Sequence, residues 1–209
     1  MCEDQELTTL LEQAESFHGH LCAGQIIGVR LAMLGLRELG LADPKGEDRK
    51  RLVVLVEIDR CATDAIMTVT GCRIGRRNMK VVDNGKMAAT FVDLQTGRAV
   101  RVVSSAAARG RAAVMYPDLD ESAAQMKAYR ELDDAELFVV QDVEVSLPPE
   151  DLPGRPLGKA VCAVCGETVL DRREVRQGDR QLCRPCAAQK TYYAPLAPPR
   201  LPFLNKERV

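Results

Sequence analysis

Several absences narrow the reading of this chain before any motif does. No stretch approaches the roughly 20 consecutive apolar residues that a membrane-spanning helix requires. The opening Met1-Cys2-Glu3-Asp4 has neither the basic head nor the apolar core of a signal peptide. Together these absences lead us to expect a soluble, cytoplasmic protein with no membrane partner. There is no glycine-rich phosphate loop, no dinucleotide fingerprint and no cysteine run with iron–sulfur spacing, which excludes nucleotide-driven and cluster-bearing redox chemistry within this chain. No internal repeat occurs, and histidine is present only twice. Against these, a hydrophobic share of 46% over 209 residues excludes a disordered chain and leaves room for one core-bearing domain with a small appendage.

Cysteine is plentiful, with eight in the chain. In a reducing compartment such thiols serve as metal ligands or reactive groups more readily than as disulfides. The net charge of −1 conceals an imbalance, because residues 155–209 carry +6 and residues 1–154 carry −7. The two parts could attract one another, or the basic part could meet an acidic partner or nucleic acid; charge alone does not choose between these.

Apolar residues at helical spacing, Leu7, Leu10, Leu11 and Ala14, predict a helix over Thr8 to Phe17 that stops at Gly19. From Ala23 to Leu39 the apolar positions are too dense for one narrow stripe, which predicts a central helix buried on most sides. Leu52-Val53-Val54-Leu55-Val56 reads as an interior strand extending toward residue 58, followed by a helix from Arg60 to Thr70 closed by Gly71. Asn84-Gly85 between Val81-Val82-Asp83 and Lys86-Met87-Ala88 predicts a two-residue hairpin. With a second reversal at Gln95-Thr96-Gly97, strands near 79–83, 86–93 and 99–104 form an antiparallel meander beside strand 52–58. A helix from Glu121 to Leu132 and a last strand at 141–146 complete an α+β domain with a mixed sheet of about five strands flanked by helices. Residues 1–147 form this domain, 148–160 a proline-rich linker, 161–190 a separate module and 191–209 a tail. Tyr192 to Phe203 in that tail, with four prolines, is expected to pack along a surface.

The module is defined by Cys162, Cys165, Cys183 and Cys186. Two residues within each pair let a tight knuckle present two sulfurs at about 2.3 Å from a metal. Gly166 follows the first pair, Pro185 lies inside the second, and the next residues suit a short helix. Knuckle, hairpin and helix in that order resemble a treble-clef or ribbon zinc finger holding one structural, non-catalytic zinc; the alternative is two disulfides or four unligated thiols. Arg172-Arg173 and the stretch Arg176 to Arg184 flank the site. That positive charge offsets the thiolates, and nucleic-acid binding is not its expected use.

Both histidines fall in Phe17-His18-Gly19-His20-Leu21-Cys22-Ala23-Gly24. Two imidazoles and a thiol at i, i+2 and i+4 form a ligand-rich cluster, all facing one way if the segment is extended. Helix capping or packing is the alternative. In the later segment Cys61, Asp64 and Thr68 line one helical stripe with Cys72 next in series, beside an apolar face. Cys61 stands where a strand gives way to a helix start, a position that favours the thiolate. Otherwise Asp64 serves the helix N-terminus and the cysteines are small core residues.

These motifs in order resemble FmdE, the E-subunit family of formylmethanofuran dehydrogenase. The matching residues are Phe17-His18-Gly19-His20-x-Cys22-x-Gly24, Cys61-x-x-Asp64-Ala65, Thr70-Gly71-Cys72-x-x-Gly75-x-x-Asn78 and Asp83-x-Gly85-Lys86-x-Ala88. Members carrying a C-terminal finger extend the likeness to 161–190. Ala23 departs from it, standing where the family commonly has proline. The resemblance implies a thioredoxin-like α+β domain with a site able to bind zinc and a homodimer. It also implies association, in some organisms, with the molybdenum or tungsten enzyme that interconverts carbon dioxide and formylmethanofuran.

Three functions follow. The first is a zinc-binding accessory protein whose pocket holds a second zinc or another divalent metal, together with a small ligand. His18, His20, Cys22 and Cys61 are its candidate ligands, expected to converge in space, with Asp64, Asp83 and Lys86 nearby. The second is a small enzyme using the same pocket residues, through a zinc-bound water or a Cys61 thiolate. The third is a metal-responsive regulator acting through the basic finger.

Overall fold

The computed structural model describes residues 2–197, with side chains from Gln5 onward. Contacts divide the chain after Gly154 into two compact units. In the first, the elements run α1 (Cys2–His18), α2 (Ala23–Leu39), β1 (Leu52–Val56), α3 (Cys61–Thr70), β2 (Met79–Val81), β3 (Ala88–Asp93), β4 (Ala99–Ser104), α4 (Ala108–Met115), α5 (Glu121–Glu131), α6 (Asp134–Leu137) and β5 (Phe138–Val143). Five strands form one mixed sheet in the order β2-β1-β3-β4-β5. Only β1 and β2 run parallel; the other pairs are antiparallel.

Dense apolar content puts α2 at the centre, as its sequence predicts: Ile26, Val29, Leu31 and Ala32 are all fully buried, and so is Gln25. Gly40 at φ 69° ends α2 and Gly71 at φ 69° ends α3, a left-handed turn that glycine adopts without a Cβ penalty. The opposite face of the sheet carries a smaller cluster of Val53, Val92 and Ala99, against which Val143, Val145 and Leu147 pack. The proline-rich segment therefore begins as part of the first unit. Pro149–Asp151 forms a 3-10 turn, and Arg77 donates to the Glu150 carbonyl.

The expected Asn84-Gly85 hairpin does not form. β2 and β3 lie on opposite sides of β1, with Val54 registered against Met79 on one side and Phe91 on the other. An all-apolar strand such as β1 buries best when both of its edges are paired, and this demand outweighs the local turn preference. The amides around the Asn-Gly pair serve the end of β1 instead: Asn84 and Lys86 N–H each donate to the Glu57 carbonyl at 3.1 Å, and Val82 N–H donates to Val56 at 2.8 Å. Gly85 has φ 63° but Asn84 does not share the positive φ, and a type I′ turn needs both. The last strand lies at 138–143 rather than 141–146. Two helices, α4 and α6, carry too little periodicity to be read from sequence. The expected surface packing of Tyr192 to Phe203 falls partly outside the described residues. Among those described, no helix is long and apolar enough to cross a membrane.

At Gly28 the backbones of α2 and α3 nearly touch: a Cβ there would lie 2.6 Å from the Ala62 carbonyl oxygen and 2.7 Å from the Ala65 Cβ. Gly28→Ala should lower the unfolding free energy of the first unit by about 1–3 kcal/mol, the usual cost of overpacking. An unchanged urea midpoint would show that the helices can separate freely. Buried Asp93 accepts from Arg51 Nε at 2.9 Å and Nη2 at 2.5 Å, and these bonds hold its carboxyl far below the ordinary carboxylate range. A depressed folded pKa gives stability that is present above the unfolded value and lost as pH falls through the folded one. Asp93→Asn should therefore be less stable at pH 7, with the gap to wild type narrowing only below about pH 4. A gap that closes already at pH 6 would contradict the pairing.

Candidate metal centres

α1 ends at His18, where Gly19 at φ 96° turns the chain and its N–H donates to Glu15 at 2.7 Å. The segment stays irregular until Cys22, the extended N-cap residue of α2. This short connection puts one donor atom each of His18, His20 and Cys22 within 4.8 Å of one another. For the bond lengths of a tetrahedral zinc the ligand atoms stand about 3.4–3.8 Å apart, so small rotations close the set around an ion. The two imidazole centroids are 4.7 Å apart.

Asp64 fixes the first of these rings. Its Oδ2 lies 2.8 Å from His18 Nδ1, so that with Asp64 ionised the proton sits on Nδ1 and the Nε2 lone pair is free for a metal. This carboxylate–histidine pairing is the usual support of a metal-ligating imidazole, and it assigns Asp64 to orienting a ligand rather than to capping α3. Among its neighbours on the predicted stripe, Thr68 turns inward and donates to the Asp64 carbonyl at 2.9 Å. Cys72 is core: it is 1% exposed, and burial pushes its thiol up to about 11.

Cys61 is the first residue of α3, and its Cβ lies across Gly24 from the Cys22 sulfur. It is not one of the three residues whose donor atoms cluster within 4.8 Å. Three of the four candidate ligands thus form the cluster and the fourth flanks it. Burial first, and then the neighbouring Cys22 thiol, push the Cys61 thiol up, contrary to the thiolate expected from its helix-start position. Gln25, which sequence reasoning missed, positions Cys61: its Nε2 donates to the Cys61 carbonyl at 2.8 Å, and its own Oε1 is buried without a partner. The available signal was a lone amide among the apolar residues 23–29 that open the helix.

Asp83 and Lys86 lie in the connection from β2 to β3, whose amides bond the Glu57 carbonyl just after β1. Both are exposed; Asp83 Oδ1 accepts from Gly85 N–H at 3.3 Å, while the positive charge of Lys86 helps hold the Glu57 carboxyl down, behind the larger effects of Arg101 and Asn84. A cavity of about 800 Å³ lies along α2 and is lined by Leu10, Arg30, Leu36, Lys45 and Asp134 among others, but by none of the cluster residues.

In the second unit β6 (Lys159–Val161) pairs with β7 (Thr168–Leu170), and β8 (Val175–Gln177) with β9 (Arg180–Leu182), before α7 (Arg184–Ala188). Knuckle, hairpin and helix follow in the expected order. Gly166 at φ 75° donates its N–H to the Cys162 carbonyl at 3.0 Å, and Cys183 is the N-cap residue of α7. All four sulfurs lie within 4.8 Å of one another, those of Cys165 and Cys183 at 3.9 Å. Backbone N–H groups of Cys165, Cys183 and Val164 lower the Cys162 thiol to about 6, whereas its bond with Cys183, then burial, push Cys186 up to about 12. Without a cation the four sulfurs resist carrying charge together; a divalent ion stabilises all four as thiolates. The donor set and its spacing fit zinc.

A module with so few buried residues depends on its metal for folding free energy. Cys183→Ser should remove the metal and the amide-exchange protection of residues 159–190 while leaving that of residues 23–143 intact. Retained protection in the finger would show that it folds without the ion.

Comparison with known proteins agrees with this geometry. A prokaryotic DksA/TraR C4-type zinc-finger model matches residues 155–192. A probable S-adenosyl-L-methionine-binding protein of Archaeoglobus fulgidus is 28% identical over 211 residues, covering 90% of this chain; the chain spans about half of that curated relative, 55% of its length. An FmdE-like protein of Syntrophus aciditrophicus, related to tungsten formylmethanofuran dehydrogenase, shares the fold, with a TM-score of 0.60 at 23% identity, over 90% of this chain and 95% of that one. The model described as FmdE, molybdenum formylmethanofuran dehydrogenase operon, matches residues 17–147, well over half of the sequence and all of His18, His20, Cys22, Cys61 and Asp64, and the chain therefore belongs to the FmdE family.

Proposed function

We propose that this protein is a zinc-binding accessory subunit of molybdenum or tungsten one-carbon metabolism, holding one structural zinc in its finger and a second ion in its FmdE domain, where a small ligand binds. The observation that carries the second ion is the hydrogen bond between His18 and Asp64 at 2.8 Å, because a carboxylate behind an imidazole supports a metal ligand and one donor atom each of His18, His20 and Cys22 lies within 4.8 Å of the others. His18, His20 and Cys22 would hold the ion, and Cys61 flanks it. A zinc bound there is a Lewis acid able to fix an anionic or sulfur-containing ligand. Binding is favoured over nucleophilic catalysis by Cys61, since its thiol is pushed up rather than down and the thiolate is the nucleophile. Association with a formylmethanofuran dehydrogenase is supported by the family's operon description. A thioredoxin-like domain, a homodimer and a cytoplasmic setting belong to the same reading.

Metal analysis of protein saturated with zinc and then desalted tests the second ion. Two equivalents per chain are expected in the wild type and one in His18→Ala. Asp64→Asn should retain the finger zinc but bind the other ion about 10–100-fold more weakly, the usual cost of losing a carboxylate behind a ligating histidine. Equal stoichiometry in wild type and His18→Ala, both folded by circular dichroism, would remove the second site. Failure to co-elute with the catalytic subunits of a molybdenum or tungsten formylmethanofuran dehydrogenase would remove the accessory role.

A further inference from the structure

We propose that Cys22 and Cys61 form a redox-active dithiol, joined as a disulfide by a hydroperoxide, and that this disulfide and a metal ion at His18, His20 and Cys22 exclude one another. The exclusion rests on the metal reading above, whereas the pairing of the thiols rests on geometry alone.

Cys22 immediately precedes α2 and Cys61 begins α3. Gly24 stands between them: a Cβ at Gly24 would lie 3.3 Å from the Cys61 Cβ and 3.7 Å from the Cys22 sulfur. The absence of a side chain there leaves the two thiols facing one another across Gly24. Neither is in a disulfide, and both are only partly buried, so a small oxidant can reach them. Cys72, the remaining described thiol of the first unit, is sealed in the core and has no thiol neighbour of this kind. Both backbones are held in place. The Cys22 carbonyl accepts from Gln25 and Ile26 N–H, and the Cys61 carbonyl accepts from the Gln25 side chain. Closing the pair brings the sulfurs to a bond of about 2.05 Å.

The chemistry balances with hydrogen peroxide as oxidant. One thiolate attacks the O–O bond, takes one oxygen as a sulfenic acid and releases hydroxide, which leaves as water after protonation. The second thiol then attacks that sulfur, the S–S bond forms and the hydroxyl departs as a second water. Two thiols are oxidised, and one peroxide is reduced to two waters. In the disulfide Cys22 is no longer a thiolate, so the cluster loses its only sulfur donor. A metal-bound Cys22 is in turn withheld from the oxidant.

The test compares full-length protein carrying zinc in the finger alone with protein given a second equivalent of zinc. Each is treated with hydrogen peroxide and mapped by mass spectrometry of unreduced peptides. We expect a Cys22–Cys61 cross-link in the one-zinc protein, reversed by dithiothreitol, and about tenfold slower formation once the second zinc is present. Gly24→Ala should slow the cross-link by crowding the Cys61 Cβ. Peroxide that leaves Cys22 as a sulfinic acid with no cross-link would overturn the dithiol even where the second zinc binds. Cross-linking at the same rate with both zincs bound would overturn the exclusion and leave the dithiol standing. A protein that cross-links but never takes up a second zinc would refute the metal reading and, with it, the exclusion alone.

Discussion

The first unit turns on the contact between α2 and α3, which cross so closely at Gly28 that no side chain fits between Gly28 and the Ala62 backbone. Such an approach fixes the separation of the two helices along their length, including their N-terminal ends. There Gly24 comes against Cys61, and Gln25 reaches across to its carbonyl. Because Cys22 immediately precedes α2 while Cys61 and Asp64 occupy the first turn of α3, this crossing brings together residues some forty positions apart in sequence. His18 at the end of α1 reaches Asp64 because α1 also packs on α3, so the carboxylate that fixes this ring is placed by helix packing and not by the loop that carries the other donors.

The sheet obeys a related constraint. β1 is apolar throughout and four of its five residues are fully buried, which makes pairing on both edges the favourable arrangement. The same demand accounts for what was legible in sequence and what was not. The central helix, the interior strand, the helix after it and the glycines that end both helices depend on local periodicity and capping, and each could be read directly. Pairing across β1 is a competition between distant segments, and nothing local to Asn84-Gly85 announces that Met79–Val81 will cross to the far side of it. A turn signal reports what the backbone prefers in isolation; the Glu57 carbonyl, receiving both Asn84 and Lys86, decides otherwise.

The cluster was legible for a comparable reason. His18, His20 and Cys22 are close in sequence, so an irregular connection between two helices could gather them with little help from the tertiary fold. Asp64 was visible as part of a polar helical stripe, although its role as the partner of His18 needed the fold. Gln25 was not, because a single amide in an apolar helix has many structural explanations. The hairpin that was to carry Asp83 and Lys86 does not form, and the amides of Asn84 and Lys86 bond Glu57 at the end of β1 instead.

The two metal centres stand in opposite relations to folding. In the finger, strands of three residues each and a five-residue helix bury too little to order the chain, and four sulfurs crowded within 4.8 Å repel one another as thiolates unless a cation joins them. Its ion is part of the fold. The N-terminal donors sit on a scaffold whose core is complete without them, and that scaffold already holds His18 Nδ1 against Asp64 and leaves Gln25 Oε1 buried without a partner. The second ion proposed above would bind there without spending its binding energy on folding, so the domain would persist when the ion left, whereas loss of the ion would unfold the finger.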